Sequence, residues 1–317
     1  MRLRGSLFKV LMIKNLTESI RFIDHQEIFD VLHIEDLIPE MRRVMIDFSM
    51  GRVEQPIRRM IDVGSHGGYF GSMPASSGEA LGAKMLTFYP GNAKRNLPTH
   101  MALIVLFRPE TGEPMVVMDG HYITQMRTAA VTAVFVDAVA AEGAKSLAIL
   151  GAGAQGRCHL QALSRVRDFN DIRIWNRTHE RAVALAESWG GKAMTCEEAI
   201  RGAEVVVVAT SSKEPVLDGQ WLRPGAKLAT VGWSGANGSE VDATTMSHIV
   251  LVDSREGTQA DSGNVRCHNA KIHSELGHVL AGSVIIDPDA TVIFDSIGMA
   301  CQDLAAACLV LDKLEDQ

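Results

Sequence analysis

Apolar and polar positions along the chain follow two different regimes. Between residues 24 and 50 the apolar positions recur at helical spacing, predicting one helix over 26–32 and a second over 34–48 that Gly51 ends. From Pro56 the period shortens to that of strands. PIRRMIDV, GYFGSM, GAKMLTFY and MALIVLF are separated by clusters of Gly, Ser and Asn, and RPETGEP turns the last of them into MVVMD. The next stretch, HYITQMRTAAVTAVFVDAVA, is apolar on nearly every face, which predicts a helix enclosed between parts of the protein. From Ser146 strand and helix alternate through SLAIL, HLQALSRV, DIRIW, ERAVALAESW, EEAIRGA, EVVVVAT, KLATVGW and HIVLVD, the pattern of a parallel sheet with helices on both faces. ATVIFD adds one more strand, and the long apolar helix behind it is suited to pack back against the first half.

Composition narrows the classes. A chain of 317 residues exceeds the usual size of one compact unit, so two domains are expected. A net charge of −7 offers no basic stripe for neutralising phosphates, which argues against nucleic acid as a partner. No uninterrupted apolar run reaches membrane-spanning length, and Lys9 and Lys14 interrupt the apolar residues near the N-terminus, so neither a membrane span nor a secretory leader is expected. The five cysteines, Cys158, Cys196, Cys267, Cys301 and Cys308, are odd in number and scattered. They fit reduced thiols in the cytoplasm, with no zinc site and no disulfide framework.

The first candidate chemistry is LGAGAQG. Gly151, Gly153 and Gly156 stand in G-x-G-x-x-G spacing after a strand and before a helix. A glycine at 153 lets the backbone approach a pyrophosphate, and the helix N-terminus supplies amide donors with partial positive charge. At the end of the second strand, where NAD enzymes place an acidic residue for the ribose 2′-hydroxyl, stand Asn176, Arg177, Thr178 and, further on, Arg181. Missing repulsion and an available guanidinium suit a 2′-phosphate, so NADPH is favoured and NADH admissible.

Three cations sit where the local pattern does not want them. Lys84 alternates with Leu86 and Phe88 and therefore faces the apolar side of its strand. Arg127 interrupts the all-apolar helix, and Arg58 shares a strand face with Met60. Taken singly, each is a snorkelling or salt-bridged side chain. Taken together they make a cationic pocket for a carboxylate beside a hydride donor, because buried cations need partners or a ligand. Cys158 and His159 fit packing roles, Thr99 and His100 either line a pocket or begin a strand, and EEAIRGAE is a solvated helix face.

The segments QPIR, AKMLTFYP, PTHMALIVLFRPETGEP, MDGHYITQMRTAAVTA, LGAGAQG, IWNRT and SIGMACQDLAAA, in this order, resemble the ornithine cyclodeaminase/mu-crystallin family from about residue 21 onward, most of all its NADPH-dependent ketimine reductases. The resemblance implies an α/β fold: a Rossmann-type parallel-sheet NADP domain plus an α+β substrate and dimerisation domain with an antiparallel sheet. It divides the chain into an extension over 1–20, the substrate domain over 21–144, the dinucleotide domain over 145–298, and a helix over 299–317 that returns to the first domain. It further implies a homodimer and a substrate site lined by Arg58, Lys84 and Arg127. Around the cofactor it sets Gly151, Gly153, Ala154, Gln155 and Gly156 at the pyrophosphate, Arg177 at the 2′-phosphate, Thr210 and Ser211 near the ribose, and Gly298 and Met299 near the nicotinamide.

One departure bears on the reaction. Cyclodeaminases of the family carry an aspartate just after the VG of a late strand, where this chain has Ser234. Serine is no general base at neutral pH without an activating neighbour, which weighs against ammonia-releasing cyclisation. The expected activity is NADPH-dependent reduction of the C=N bond of a small 2-imino or cyclic ketimine carboxylate with a five- or six-membered ring. The alternatives are an ornithine cyclodeaminase, an alanine-type dehydrogenase, and a binding protein that holds NADPH and a small ligand or hormone without turnover. Retention of all three cations weighs against the last.

Overall fold

The structure, a computed structural model, describes residues 20–316 apart from Trp233, Ser234 and Ala236. Ser234 and nearly all of the expected extension over 1–20 therefore lie outside the described residues.

A short strand, β1 (Arg21–Ile23), runs into a capping box. Asp24 accepts from the backbone amides of Gln26 and Glu27 while Glu27 bonds back to the Asp24 amide, which satisfies donors that would otherwise be orphaned at the start of α1 (His25–Val31). Helix α2 (Ile34–Ser49) buries Ile34, Leu37, Met41, Val44 and Met45 along one stripe. Then come β2 (Arg59–Asp62), β3 (Tyr69–Ser76), β4 (Leu81–Phe88), β5 (His100–Phe107) and β6 (Pro114–Asp119). They form a six-stranded sheet in the order β1-β6-β5-β4-β3-β2. Its inner face carries Met73, Leu86, Ala102, Ile104, Leu106, Val116 and Met118, and Lys84 among them. The sheet is mixed, not purely antiparallel as expected, because the edge strand β1 joins β6 in parallel. Strand β2 begins at Arg59, one residue after Arg58, so Arg58 does not share a strand face with Met60. Its side chain is instead drawn toward the second half of the protein, as described below.

Asp119 caps α3 (Gly120–Val139), whose residues from Met126 to Val136 are all buried. The carbonyls at its far end are satisfied by Arg167, which donates to Val136, Asp137, Ala140 and Ala141. From here the chain alternates: β7 (Ser146–Leu150), α4 (Ala154–Leu163), β8 (Asp171–Trp175), α5 (His179–Ser188), β9 (Lys192–Ala193), α6 (Cys196–Ile200), β10 (Val205–Val208), β11 (Lys227–Thr230), α7 (Ala243–Met246), β12 (Ile249–Val252), α8 (Arg255–Asp261), α9 (Gly263–His268), β13 (Ile272–Glu275), α10 (Leu276–Leu280) and β14 (Val292–Asp295). The eight strands pair in parallel throughout, in the order β13-β12-β14-β11-β10-β7-β8-β9. Fully buried runs such as Val205–Val208 are what a sheet covered on both faces requires.

The strand order reverses between β7 and β10, which opens a crevice at their carboxyl ends. Helix α11 (Ala300–Glu315) then packs on β3, β4 and β5 and on α2 and α3, and Lys313 reaches Asp36 at 2.6 Å. Its burial carries Asp303 into the interior of the first sheet's layer. Among the described residues no helix is long and apolar enough to cross a membrane, and all five cysteines are free thiols.

Candidate functional site

Lys84 lies on the inward face of β4 because the strand alternates and buried Leu86, two residues on, points the same way. Only 1% of the residue is exposed. A buried ammonium needs a counter-charge, and Asp303, entirely buried in the first turn of α11, supplies it at 2.5 Å. The other oxygen of Asp303 accepts from Arg127 Nε at 2.9 Å, and Arg127 Nη1 donates to Gln302 at 3.1 Å. One carboxylate thus serves two cations that arrive from a strand and a helix distant in the chain. Burial works against ionisation of Asp303, yet the charges of Arg127 and Lys84 hold its carboxyl below the usual range. Burial lowers Lys84 to about 8; Asp303 opposes that fall, and Arg127 and Arg58 add to it.

Arg58 enters from the other side. Its Nε pairs with Asp261 at 2.8 Å and its Nη1 donates to the Ile297 carbonyl at 2.9 Å, both from the second half of the chain. Its Nη2 is buried with no hydrogen-bond partner among the described residues. Arg58, Lys84 and Arg127 line one cavity of about 670 Å³ together with Met60, Met73, Leu86 and Phe88. The sequence expectation of three converging cations therefore corresponds to an arrangement in space, with a correction to the element that carries Arg58.

The same cavity runs up to the glycine turn. Gly151 has φ +121°, and a Cβ on it would sit 2.3 Å from the Ala209 carbonyl, so the end of β7 lies against the end of β10. A Cβ on Gly156 would lie 2.0 Å from the Gly151 carbonyl, which lets α4 start directly under the turn. Gly153 is different: a Cβ there meets no protein atom within 4 Å, and no side chain caps the helix that begins after it. Free amides at an open helix N-terminus are the cradle that a dinucleotide pyrophosphate needs, so these residues fit the cofactor. Asn176 ties the turn to the next strand, accepting from the Ala152 amide at 3.1 Å and donating to the Thr178 carbonyl at 2.8 Å.

Of the remaining candidates, Ala154, Gln155, Arg181, Thr210, Ser211 and Gly298 line the cavity. Gly298, at φ +75°, presses against the guanidinium of Arg127, where a Cβ would lie 2.6 Å from Nη1. Gly151 and Gly156 are buried beneath the turn, and Arg177 and Thr178 are exposed beyond β8, off the cavity wall. Met299 is fully buried and faces a neighbouring cavity of about 380 Å³ that Arg58 and Gly298 also line, so it does not reach the larger one. Among the described residues no group of three His, Cys, Asp or Glu is arranged to hold a metal.

Three carboxyl groups escaped the sequence reading. Asp303 joins the cations. Asp253, fully buried at the end of β12, accepts from the Gly298 amide at 2.7 Å and the Ser296 hydroxyl at 3.0 Å, which fixes the segment that touches both arginines. Glu240 accepts from the amide of Thr210 at 3.0 Å and from its hydroxyl, and burial pushes its carboxyl up to about 8. Each is an acidic residue at full burial, a signal visible only once tertiary packing is known.

A parallel sheet with an open glycine cradle, sharing one cavity with a buried cationic pocket, defines the class as a nicotinamide-dependent oxidoreductase for a small anionic substrate. More narrowly, the chain belongs to the ornithine cyclodeaminase/mu-crystallin family, whose model matches residues 21–317. It is 39% identical over 302 residues to the ketimine reductase mu-crystallin of Mus musculus, covering 92% of this chain and 96% of that protein. The fold is similar to that of the Thermococcus litoralis Delta(1)-pyrroline-2-carboxylate reductase in complex with NADH and L-proline, with TM-score 0.90, 29% identity, and 94% and 98% of the two chains covered. It is also similar to an archaeal alanine dehydrogenase dimer with bound NAD, with TM-score 0.89, 25% identity, and 94% and 96% covered.

Proposed function

We propose that this protein reduces the C=N bond of small 2-imino and cyclic ketimine carboxylates, of the 1-pyrroline-2-carboxylate or 1-piperideine-2-carboxylate type, to the corresponding amino acids. The observation that carries this reading is the buried Nη2 of Arg58, without a partner among the described residues, on a cavity wall that it shares with Lys84 and Arg127. A buried donor needs an acceptor, and a substrate carboxylate in the cavity supplies one. Arg58 and Arg127 hold the carboxylate, and the apolar wall of Met60, Leu86 and Phe88 receives the ring carbons. Bound NADPH, with NADH as the poorer alternative, supplies a hydride to the imine carbon. Lys84, protonated at neutral pH, meets the electron pair that the nitrogen acquires as the π bond breaks. Arg181, on the wall, and Arg177 beside it give the 2′-phosphate its counter-charge. The likeness to a mouse ketimine reductase and to a pyrroline-2-carboxylate reductase supports this reading.

The same reading includes a homodimer in the cytoplasm. Phe22, Ile61, Met101 and Leu103 are exposed on the face of the first sheet that points away from the cavity, an apolar patch suited to a second copy. The deciding experiment is steady-state NADPH oxidation with preformed five- and six-membered cyclic ketimines and with mixtures of 2-keto acids and amines. Turnover of the cyclic ketimines is expected. Rapid ammonia release from ornithine with NAD⁺, or ligand binding without any turnover, would replace this reading with one of its rivals.

A further inference from the structure

His100 begins β5 and pairs with Phe88, so it projects from the same inner sheet face as Lys84 and lines the same cavity. The polar groups around it are nearly all donors or already engaged. Arg58, Lys84 and Arg127 have no acceptor to offer. Asp303 is taken by Lys84 at 2.5 Å and Arg127 at 2.9 Å. His121 has Nδ1 3.2 Å from the His100 carbonyl and Nε2 2.7 Å from Gln125. The hydroxyls of Thr124 and Thr128 donate to the Gly120 and Thr124 carbonyls, at 2.6 and 2.7 Å. Among the described residues no hydrogen bond engages the His100 ring.

The titratable groups facing that ring come from three elements: Lys84 on β4, Arg127 and His121 on α3, and Asp303 on α11. Burial first, and then the charge of Lys84, lower its imidazole to about 4, with Asp303 opposing and Arg127 and His121 adding. The ring is therefore neutral at physiological pH and keeps one nitrogen lone pair.

A cyclic ketimine is a good hydride acceptor only when its nitrogen is protonated, and that N–H⁺ lies in the ring plane. In a pocket of three cations it is repelled unless it meets an acceptor. We infer that His100 is that acceptor: its neutral imidazole receives the in-plane N–H of the protonated imine and selects the iminium form of the substrate. The inference rests on the ketimine reading of the site. The atoms then balance without a new co-reactant. The hydride forms the C–H bond, and the π pair moves to nitrogen perpendicular to the ring plane. Lys84 meets that new pair, while the original N–H stays on the substrate nitrogen and continues to donate to His100.

The test uses the full chain with NADP⁺ and two planar probes of one shape, pyrrole-2-carboxylate, which has a ring N–H, and furan-2-carboxylate, which has none. Calorimetry on the wild type is expected to favour the pyrrole by about threefold to tenfold, the net contribution of a hydrogen bond between two neutral groups. His100→Ala should abolish the preference and lower kcat/KM for a cyclic ketimine by a similar factor, with NADPH affinity unchanged. His100→Gln, which restores an acceptor oxygen, should recover much of both. Equal binding of the two probes by the wild type, or a preference that survives in His100→Ala, overturns the role of His100 while ketimine turnover stands. Should His100→Ala fail to fold, His100→Gln decides: a folded variant without the preference also overturns it. A wild type that neither binds the probes nor reduces ketimines overturns the underlying reading instead.

Discussion

The proposed cofactor cradle and the proposed substrate pocket meet in one cavity but are built on opposite principles. The cradle is made of backbone: Gly153 and Ala154 are exposed and contribute amides, and the arginines beyond β8 stand in solvent. The pocket is made of charge: Lys84, Arg127 and Asp303 are buried and hold one another. Backbone sites depend on close approach, so they fail when a side chain is added. Buried charge sites depend on balance, so they fail when one is removed.

The largest effect is expected at the single group that balances two cations. Asp303→Ala leaves Lys84 and Arg127 without a counter-charge, and stability measured by denaturant unfolding should fall by about 3–5 kcal/mol. Asp303→Asn, similar in shape, should fold better yet lose kcat/KM by about 100-fold or more, because the positions of both cations slip. An Asn variant with full activity would show that the charge of Asp303 is dispensable.

The cradle is sharpened by a pair of glycine changes. Gly156→Ala places a Cβ 2.0 Å from the Gly151 carbonyl and should lower Tm and NADPH affinity together. Gly153→Ala meets open space and should leave Tm unchanged while weakening NADPH about tenfold, an effect of roughly 1.4 kcal/mol. Equal NADPH affinity in Gly153→Ala and wild type, by fluorescence titration, would mean that the pyrophosphate does not approach this turn.

A smaller effect follows from titration of the pocket. Lys84, lowered to about 8 by burial, is charged below that pH and neutral above it, so kcat/KM should fall as pH rises through about 8. In Lys84→Arg the charge persists, and the alkaline fall should move up or vanish even though the absolute rate is lower. The unfolded chain keeps the proton of Lys84 to higher pH than the folded one, so this group's contribution to stability grows, not shrinks, across the same limb.

The two regions also differ in how much of them the sequence discloses. Gly151, Gly153 and Gly156 announce themselves because a phosphate turn is local: strand, turn and helix lie within one stretch. Lys84 and Arg127 were visible as misfits in apolar periods, since alternation alone says which way they face. Asp303 was not, because an acidic residue in the first turn of a helix is ordinarily favourable where it stands and gives no sign that α11 will bury it. Asp253 and Glu240 likewise end strands or loops whose burial depends on partners far along the chain. In the fold, long periodic segments were legible, as was the strand in HIVLVD, whereas three-residue β1, two-residue β9 and the other short elements over 243–280 were too brief to carry a period.

The smallest effect is expected where the cradle reaches solvent, and it tests the cofactor preference itself. Arg177 and Arg181 are both exposed, Arg177 off the cavity wall and Arg181 on it, so in the proposed reading the 2′-phosphate has one guanidinium at the wall and another in water. A charge pair in water is screened, and each such contact is worth about 1 kcal/mol or less. Arg177→Ala should therefore raise the KM for NADPH by about fivefold, leave NADH unchanged, and lose most of its effect at high salt. Arg181→Ala, at the cavity wall, should discriminate at least as strongly. If both variants weaken NADPH and NADH equally, the arginines contact the shared part of the dinucleotide, and the absence of an acidic residue at Asn176 then accounts for the tolerance of NADPH without any specific grip on its phosphate.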